Sequence, residues 1–288
     1  MKIVASEGES RRAYRRTRIE LTPPSDWGRS NAPVTFDYFQ IPGERNPVIL
    51  ILPISGGRRY PAEEIFARHF ARNGFAAIIA HRWKPPKEFE LNAIDRWLRL
   101  SLEENQLALD WIETRPELDT NHIGLFGVSM GGIRGVMLTA LDPRIKASVF
   151  GLAGSDLPAI LARSSDRGIS KRRAEVLSQG DWTPAKLEAA LRESITCEPR
   201  EFAAHVDPHK SLLVLGLFDR VVPFSQGWQL REQLGKPETL LLPTGHYTAV
   251  LAIPAIQMES VEFFETRFGI GPPAGERQRA RSPRDAPW

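Results

Sequence analysis

The sequence predicts an α/β protein with a mostly parallel, doubly wound sheet. Two observations carry that expectation. From about residue 33 to about residue 268, short apolar runs of strand length alternate with longer stretches of helical periodicity. The pentapeptide Gly127-Val128-Ser129-Met130-Gly131 stands between an apolar strand (122–126) and a helical stretch (132–138), so the chain must turn sharply from one into the other. Composition agrees: 288 residues, 42% hydrophobic and 25% charged, suffice for one large domain with a substantial core.

Taken in order, residues 18–21 and 34–41 read as early antiparallel strands. Residues 47–52 form a strand whose prolines, Pro47 and Pro53, sit at its ends. A helix follows over 62–73, with Ile65, Phe66 and Phe70 on one stripe and Asn73-Gly74 as its stop. Residues 75–80 are the next strand, and 95–114 form an amphipathic helix on Leu98, Leu102, Leu109 and Ile112. After the 122–138 strand-turn-helix come buried strands over 146–152 and 211–218, a short apolar run over 240–243, and a closing helix over 259–268. The segment 155–209 is far longer than one crossover helix requires. Helical pattern recurs there over 157–163, 171–178 and 184–194, with Thr183-Pro184 a good helix start.

Charge and composition narrow the function classes. Net charge is +3, and the surplus sits near the ends, in Arg11, Arg12, Arg15, Arg16 and Arg18 and in Arg277, Arg279, Arg281 and Arg284. Residues 1–16 therefore read as a flexible basic tail and 271–288, rich in Pro, Arg, Gly and Ala, as disordered. No aromatic-basic interleaving, dinucleotide glycine fingerprint or phosphate-binding loop occurs, which argues against a nucleic-acid or nucleotide protein. Cys197 is the only cysteine, so no intramolecular disulfide can form. Residues 1–9 lack an apolar core and no apolar run is long enough to span a bilayer, so the expectation is a soluble, cytoplasmic protein. His205 and His209 are four apart, but Pro208 breaks the helical face that a metal pair needs. The sequence does not reveal the oligomeric state.

The chemistry is concentrated after three predicted strands. Ser129 occupies the strand-to-helix turn, and Gly127 and Gly131 give the room that such a turn needs. Further along, one strand ends in Asp219-Arg220-Val221-Val222-Pro223 and a shorter one opens into Thr244-Gly245-His246-Tyr247. The residue types suit acyl transfer. A serine hydroxyl needs an imidazole to remove its proton, and the imidazole needs a carboxylate to fix its tautomer and stabilise its charged form. Asp156, shortly after the 146–152 strand, is a rival for that carboxylate.

The order serine, aspartate, histidine, together with the glycine-flanked turn, resembles the α/β-hydrolases over about residues 33–268. Gly-Val-Ser-Met-Gly-Gly at 127–132, the Asp219 loop and Pro243-Thr244-Gly245-His246-Tyr247 are most similar to the dienelactone-hydrolase and prolyl-oligopeptidase-related esterases. The chain departs from the first in having Ser where they have Cys, and from the second in lacking a β-propeller. The resemblance implies the α/β-hydrolase fold over 17–270, with a helical cap inserted at about 155–209. It also implies a serine hydrolase cleaving small-molecule carboxylic esters through an acyl-enzyme, with no metal or organic cofactor. Ser129 would be the nucleophile, His246 the base and then acid, and Asp219 the orienting carboxylate. A thioesterase, amidase or peptidase would use the same residues, and a non-catalytic binding protein could share the fold. The oxyanion would be held by the N–H of Met130 and of Gly57 or Gly56, since Ser55-Gly56-Gly57 resembles the family's His-Gly-Gly loop. Arg58 and Arg59 follow that loop, and Arg82 and Trp83 follow the 75–80 strand, predicting a basic mouth suited to an anionic ester. Trp182 and the Leu and Ile residues of the insertion would line an acyl pocket.

Overall fold

The structure, a computed structural model, describes residues 3–22, 33–55, 60–81 and 91–271. Its strands are β1 (Ile3–Ser10), β2 (Arg15–Leu21), β3 (Val34–Gln40), β4 (Asn46–Leu52), β5 (Ala76–Ala80), β6 (Leu118–Val128), β7 (Ile145–Gly151), β8 (Ser211–Gly216) and β9 (Glu238–Leu242). They form one sheet in the order β1-β2-β3-β5-β4-β6-β7-β8-β9. The first three strands and the β3–β5 pair are antiparallel, and every pairing from β5 through β4 to β9 is parallel.

Helices α1 (Pro61–Arg72), α2 (Leu91–Glu113), α3 (Met130–Leu141), α8 (Phe224–Gln233) and α9 (Ile253–Phe268) cover the sheet. Between β7 and β8 run α4 (Leu157–Arg163), α5 (Arg167–Leu177), α6 (Pro184–Ser194) and α7 (Pro199–Phe202). Strand alternation assigns the faces. A Cβ on Gly124 would meet Phe264 of α9, whereas the next residue, Leu125, lies against Gly135 of α3. Thus α9 and α3 pack on opposite faces. On the α9 face, Phe70, Phe75, Phe126 and Phe264 pack mostly edge to face. Helix α1 buries Phe66, Ala67, Phe70 and Ala71, but Ile65, expected on that stripe, points outward at 43% exposure.

Over residues 3–16 the expected basic tail is replaced by β1 and the start of β2. Tyr14, Ile19 and Leu21 are buried in the sheet, while Arg16 and Arg18 turn to Asp37 on β3. Arg18 and Asp37 are direct cross-strand partners. Asp37 is 1% exposed, and a carboxylate so buried needs cations beside it. Arg16 and Arg18 are therefore ion-pair partners of a buried carboxylate, whereas Arg11, Arg12 and Arg15 stay exposed. Arg68 of α1 reaches Glu9 and ties β1 to the helix layer. The expectation of disorder over 271–288 concerns, beyond Gly271, residues outside the described ones. Among the described residues no helix is long and apolar enough to cross a membrane.

Burial acts to raise the Asp37 pKa, but hydrogen bonding and charge from His81 and Arg16 outweigh it and hold it well below the usual carboxylate range. A depressed folded-state pKa contributes stability above the unfolded value and loses it as pH falls toward the folded one. Asp37→Asn should therefore cost about 2–4 kcal/mol at neutral pH. Urea unfolding at about pH 7, 5 and 3 checks this: the deficit should hold down to about pH 4 and shrink below it. A deficit unchanged at the lowest pH would contradict the ion-pair account.

Candidate active site

The site begins with a backbone constraint. At the end of β6, Ser129 adopts φ 57° and ψ −123°, a conformation that non-glycine residues rarely hold. The Ser129 N–H donates to the Gly151 carbonyl of β7 at 2.8 Å, which fixes the turn to the sheet. Helix α3 starts at the next residue and crosses close over the strand ends. A Cβ on Gly127 would lie 2.4 Å from the Gly131 carbonyl carbon and oxygen, and one on Gly131 would lie 2.2 Å from the Leu52 carbonyl oxygen. Glycine at both positions lets the turn close, leaving the serine side chain raised above the carboxyl ends of β4, β6 and β7.

Two loops bring the other groups to it. Past the end of β8 the parallel ladder to β9 continues: Leu217 N–H donates to Leu242 O at 2.9 Å and Phe218 N–H to Thr244 O at 3.0 Å. The Asp219 loop is thereby aligned with the His246 loop. Asp219 is buried, and its Oδ1 accepts the N–H groups of Val221 and Val222 at 2.8 and 2.9 Å. Its Oδ2 stands 2.7 Å from His246 Nδ1, and His246 Nε2 stands 3.0 Å from Ser129 Oγ. Because a carboxylate only accepts, Nδ1 carries the proton, and Nε2 is left to accept from the serine hydroxyl. Asp156, the rival carboxylate, lies elsewhere: it caps α4 through the Ala159 N–H and pairs with Arg192 and Arg200.

Ser129 and His246 open into a cavity of about 360 Å³. Apolar side chains dominate its walls, among them Phe66, Phe126, Ile133, Leu157, Ile160 and Val222. No Arg or Lys lines it among the described residues, whereas Glu63 and Asp166 do. The 155–209 insertion divides. Helix α4 and the start of α5 line the cavity through Leu157, Ile160, Leu161, Asp166 and Ile169. Helix α6 instead packs on α4 and α2, and α7 on α3. Trp182, just before α6, is 37% exposed and does not reach the cavity, contrary to expectation. Tyr247, beside the histidine, donates its hydroxyl to Asp166 at 2.6 Å, joining the His246 loop to α5. That bond, with burial, pushes the Tyr247 pKa up to about 12. Burial acts to raise the Asp166 pKa, but the Tyr247 hydroxyl and the N–H groups of Ile169 and Gly168 hold it below the ordinary value.

The chain leaving β4 toward the site is held at one peptide group. Arg134, only 3% exposed in α3, donates to the Pro53 carbonyl at 2.6 Å, and the next N–H, of Ile54, donates to Glu63 Oε1 at 2.9 Å. Sequence reasoning missed both side chains, since neither belongs to a recognised motif. Met130 occupies the first position of α3, where an N–H has no intrahelical acceptor. Gly56, Gly57, Arg58, Arg59, Arg82 and Trp83 lie outside the described residues.

Solved structures share this architecture. The chain is similar to an acetyl xylan esterase from Paenibacillus sp. R4, with a TM-score of 0.67 and 17% identity, covering 91% of this chain and 87% of that one. A cold-adapted esterase from an Arctic intertidal metagenomic library matches with a TM-score of 0.60 and 18% identity, covering 91% and 99%. The α/β hydrolase GrgF from Penicillium sp. sh18 matches with a TM-score of 0.63 and 14% identity, covering 88% and 99%. No protein-family model and no curated protein matches the sequence. At these identities the likeness is one of fold, and the chain has the α/β-hydrolase fold.

The turn at Ser129 makes a prediction about two glycines of one helix. A Cβ at Gly131 would strike backbone, whereas one at Gly135 would meet first the Leu125 Cδ2, a side-chain end, at 2.7 Å. Gly131→Ala should destabilise the protein by about 3 kcal/mol or more, and Gly135→Ala by clearly less, because only the second contact can yield. Urea denaturation of both variants checks the ranking, and equal losses would contradict it.

Proposed function

We propose that the protein is a serine hydrolase that cleaves carboxylic esters through an acyl-enzyme intermediate. The observation that supports it most directly is the His246 ring, bonded on one side to Asp219 and on the other to Ser129 at the base of an apolar cavity. In this reading Nε2 takes the hydroxyl proton as Ser129 Oγ attacks the ester carbonyl. Asp219 holds the ring and stabilises its cationic form without taking the proton. The N–H of Met130, with that of Gly57 or Gly56, receives the developing oxyanion. The imidazolium then protonates the departing alcohol, and water, activated by the same ring, releases the acid.

The cavity bears on the substrate. Its volume is about 360 Å³. Its described walls are apolar with two carboxylates, which favours an ester with an apolar portion of medium length. The anionic ester expected from Arg58, Arg59 and Arg82 draws no support from the described lining. Helices α4 and α5 serve as the cap, shielding the acyl-enzyme from bulk water.

Ser129→Ala should lower ester turnover by up to about a million-fold with the fold retained, as judged by circular dichroism. Retention of more than about a tenth of the activity would remove Ser129 from the nucleophile's role. Across a series of straight-chain esters from acetyl to octanoyl, kcat/KM should rise by about tenfold or more. A maximum at acetyl would rule out the apolar cavity as the acyl site.

A further inference from the structure

The rim of the cavity is apolar, like its walls. From Tyr247 to Met258 the chain carries no charged residue, although Tyr247, Val250, Leu251, Pro254 and Met258 are exposed. Leu251 stands out from the surface at 81% exposure. Tyr247 and Val250 also line the cavity, so the exposed face runs into it without a break. Phe218, 68% exposed, adjoins the same loop, because its N–H donates to the Thr244 carbonyl at 3.0 Å. Singly exposed apolar residues are ordinary, but a set of them around a cavity mouth marks an interaction surface.

Beside this apolar face lies a basic edge. Helix α5 buries none of its residues. Ile169, Val176 and Leu177 lean on the core, while Arg167 and Lys171 face outward. Arg167 opens the helix, where the dipole disfavours positive charge, so helix stability does not account for it. Arg220 on the Asp219 loop is exposed too, and its carbonyl accepts the Ser165 N–H at 2.9 Å, just before α5. The Tyr247–Asp166 bond at 2.6 Å joins the apolar face to the basic edge directly. Of the acids there, Asp166 is turned to Tyr247 and the Ile169 N–H, and Glu175 approaches Lys171 only to 3.9 Å.

We propose that this face docks reversibly on an anionic lipid surface, from which the enzyme draws an ester with an apolar portion. The source of the substrate rests on the esterase reading above, whereas the docking surface does not. Apolar side chains flanked by basic ones are what such a surface recognises: the first enter the acyl boundary and the second meet the anionic headgroups. Position selects lipid over protein. A protein seated on Tyr247, Val250 and Leu251 would close the mouth, whereas a lipid layer covers the same rim and supplies the cavity. Each cation near such a surface strengthens binding by about fivefold, so Arg167, Lys171 and Arg220 with a few apolar contacts give reversible attachment.

Vesicle binding tests this without turnover. The full chain is sedimented with vesicles of phosphatidylcholine alone, or of phosphatidylcholine and phosphatidylserine in equal parts. It should bind the anionic vesicles at least about tenfold more tightly, and the preference should fall as salt rises. Leu251→Ser should weaken that binding by about fivefold or more, and Arg167→Glu/Lys171→Glu by about tenfold or more. Leu141→Ser, at an exposed apolar position at the opposite end of α3 from Ser129, should leave it unchanged. Circular dichroism melting confirms that each variant is folded. The proposal is overturned if neither vesicle binds or if both bind alike. It is also overturned if the Leu251 and Arg167/Lys171 variants bind as the wild type does, which would place binding in the Arg-rich ends. Self-association without lipid that Leu251→Ser abolishes would assign the face to a second copy and overturn it as well. A protein that binds as expected but hydrolyses no ester would count against the esterase reading alone.

Discussion

The site depends on one forced conformation, the positive φ of Ser129 at the junction of β6 and α3. Such a backbone costs of order 1–3 kcal/mol and persists only where its surroundings leave no alternative. Here the constraint comes from three strands together. The Ser129 N–H is tied to β7, Gly131 rests on the last carbonyl of β4, and Gly127 lies under the first turn of α3. The same close approach that strains the serine raises its hydroxyl to the sheet's edge, where loops from β8 and β9 can reach it. Strain and accessibility are two results of one packing arrangement.

Around that junction, buried charge is arranged in compensated sets. Asp219 is met by two N–H groups and a histidine, Asp37 by two arginines and a histidine, and Asp156 by two arginines and a helix N-terminus. Arg134 is buried and reaches the Pro53 carbonyl of the β4 exit. Glu63 is likewise buried and takes the N–H of Ile54 on the other side of the same peptide.

The grouping of Ser129, Asp219 and His246 was legible because strand ends are. An apolar run followed by Asp219 or His246 marks a carboxyl-terminal strand end, and in a parallel sheet those ends lie together. Other features depend on contacts that the local sequence does not carry. Strand β1 reads Ile-Val-Ala-Ser-Glu-Gly-Glu-Ser, with too few apolar residues to register alone, and it forms because β2 offers it an edge. Helix α8 carries Gly227, which weakens its helical pattern, and a Cβ there would meet the Leu215 side-chain end at 2.5 Å and the Ala153 carbonyl oxygen at 3.1 Å. Helical pattern placed α4 and α6 correctly but did not give the direction in which each packs, so Trp182 was assigned to a cavity that, of the insertion's described helices, α4 and α5 line and α6 does not. Glu63 was hidden by its position, since an acid in a helix's first turn ordinarily faces water and complements the dipole.

The central claim is that His246, held by Asp219, makes Ser129 a nucleophile. Labelling with a fluorophosphonate, followed by peptide mapping by mass spectrometry, tests it most directly, because that reagent phosphonylates an activated serine and leaves ordinary hydroxyls untouched. The account predicts a single adduct, on Ser129, whose formation slows by orders of magnitude when His246 is replaced by Ala. An adduct on another residue, no adduct at all, or one that forms as fast without His246, would contradict it.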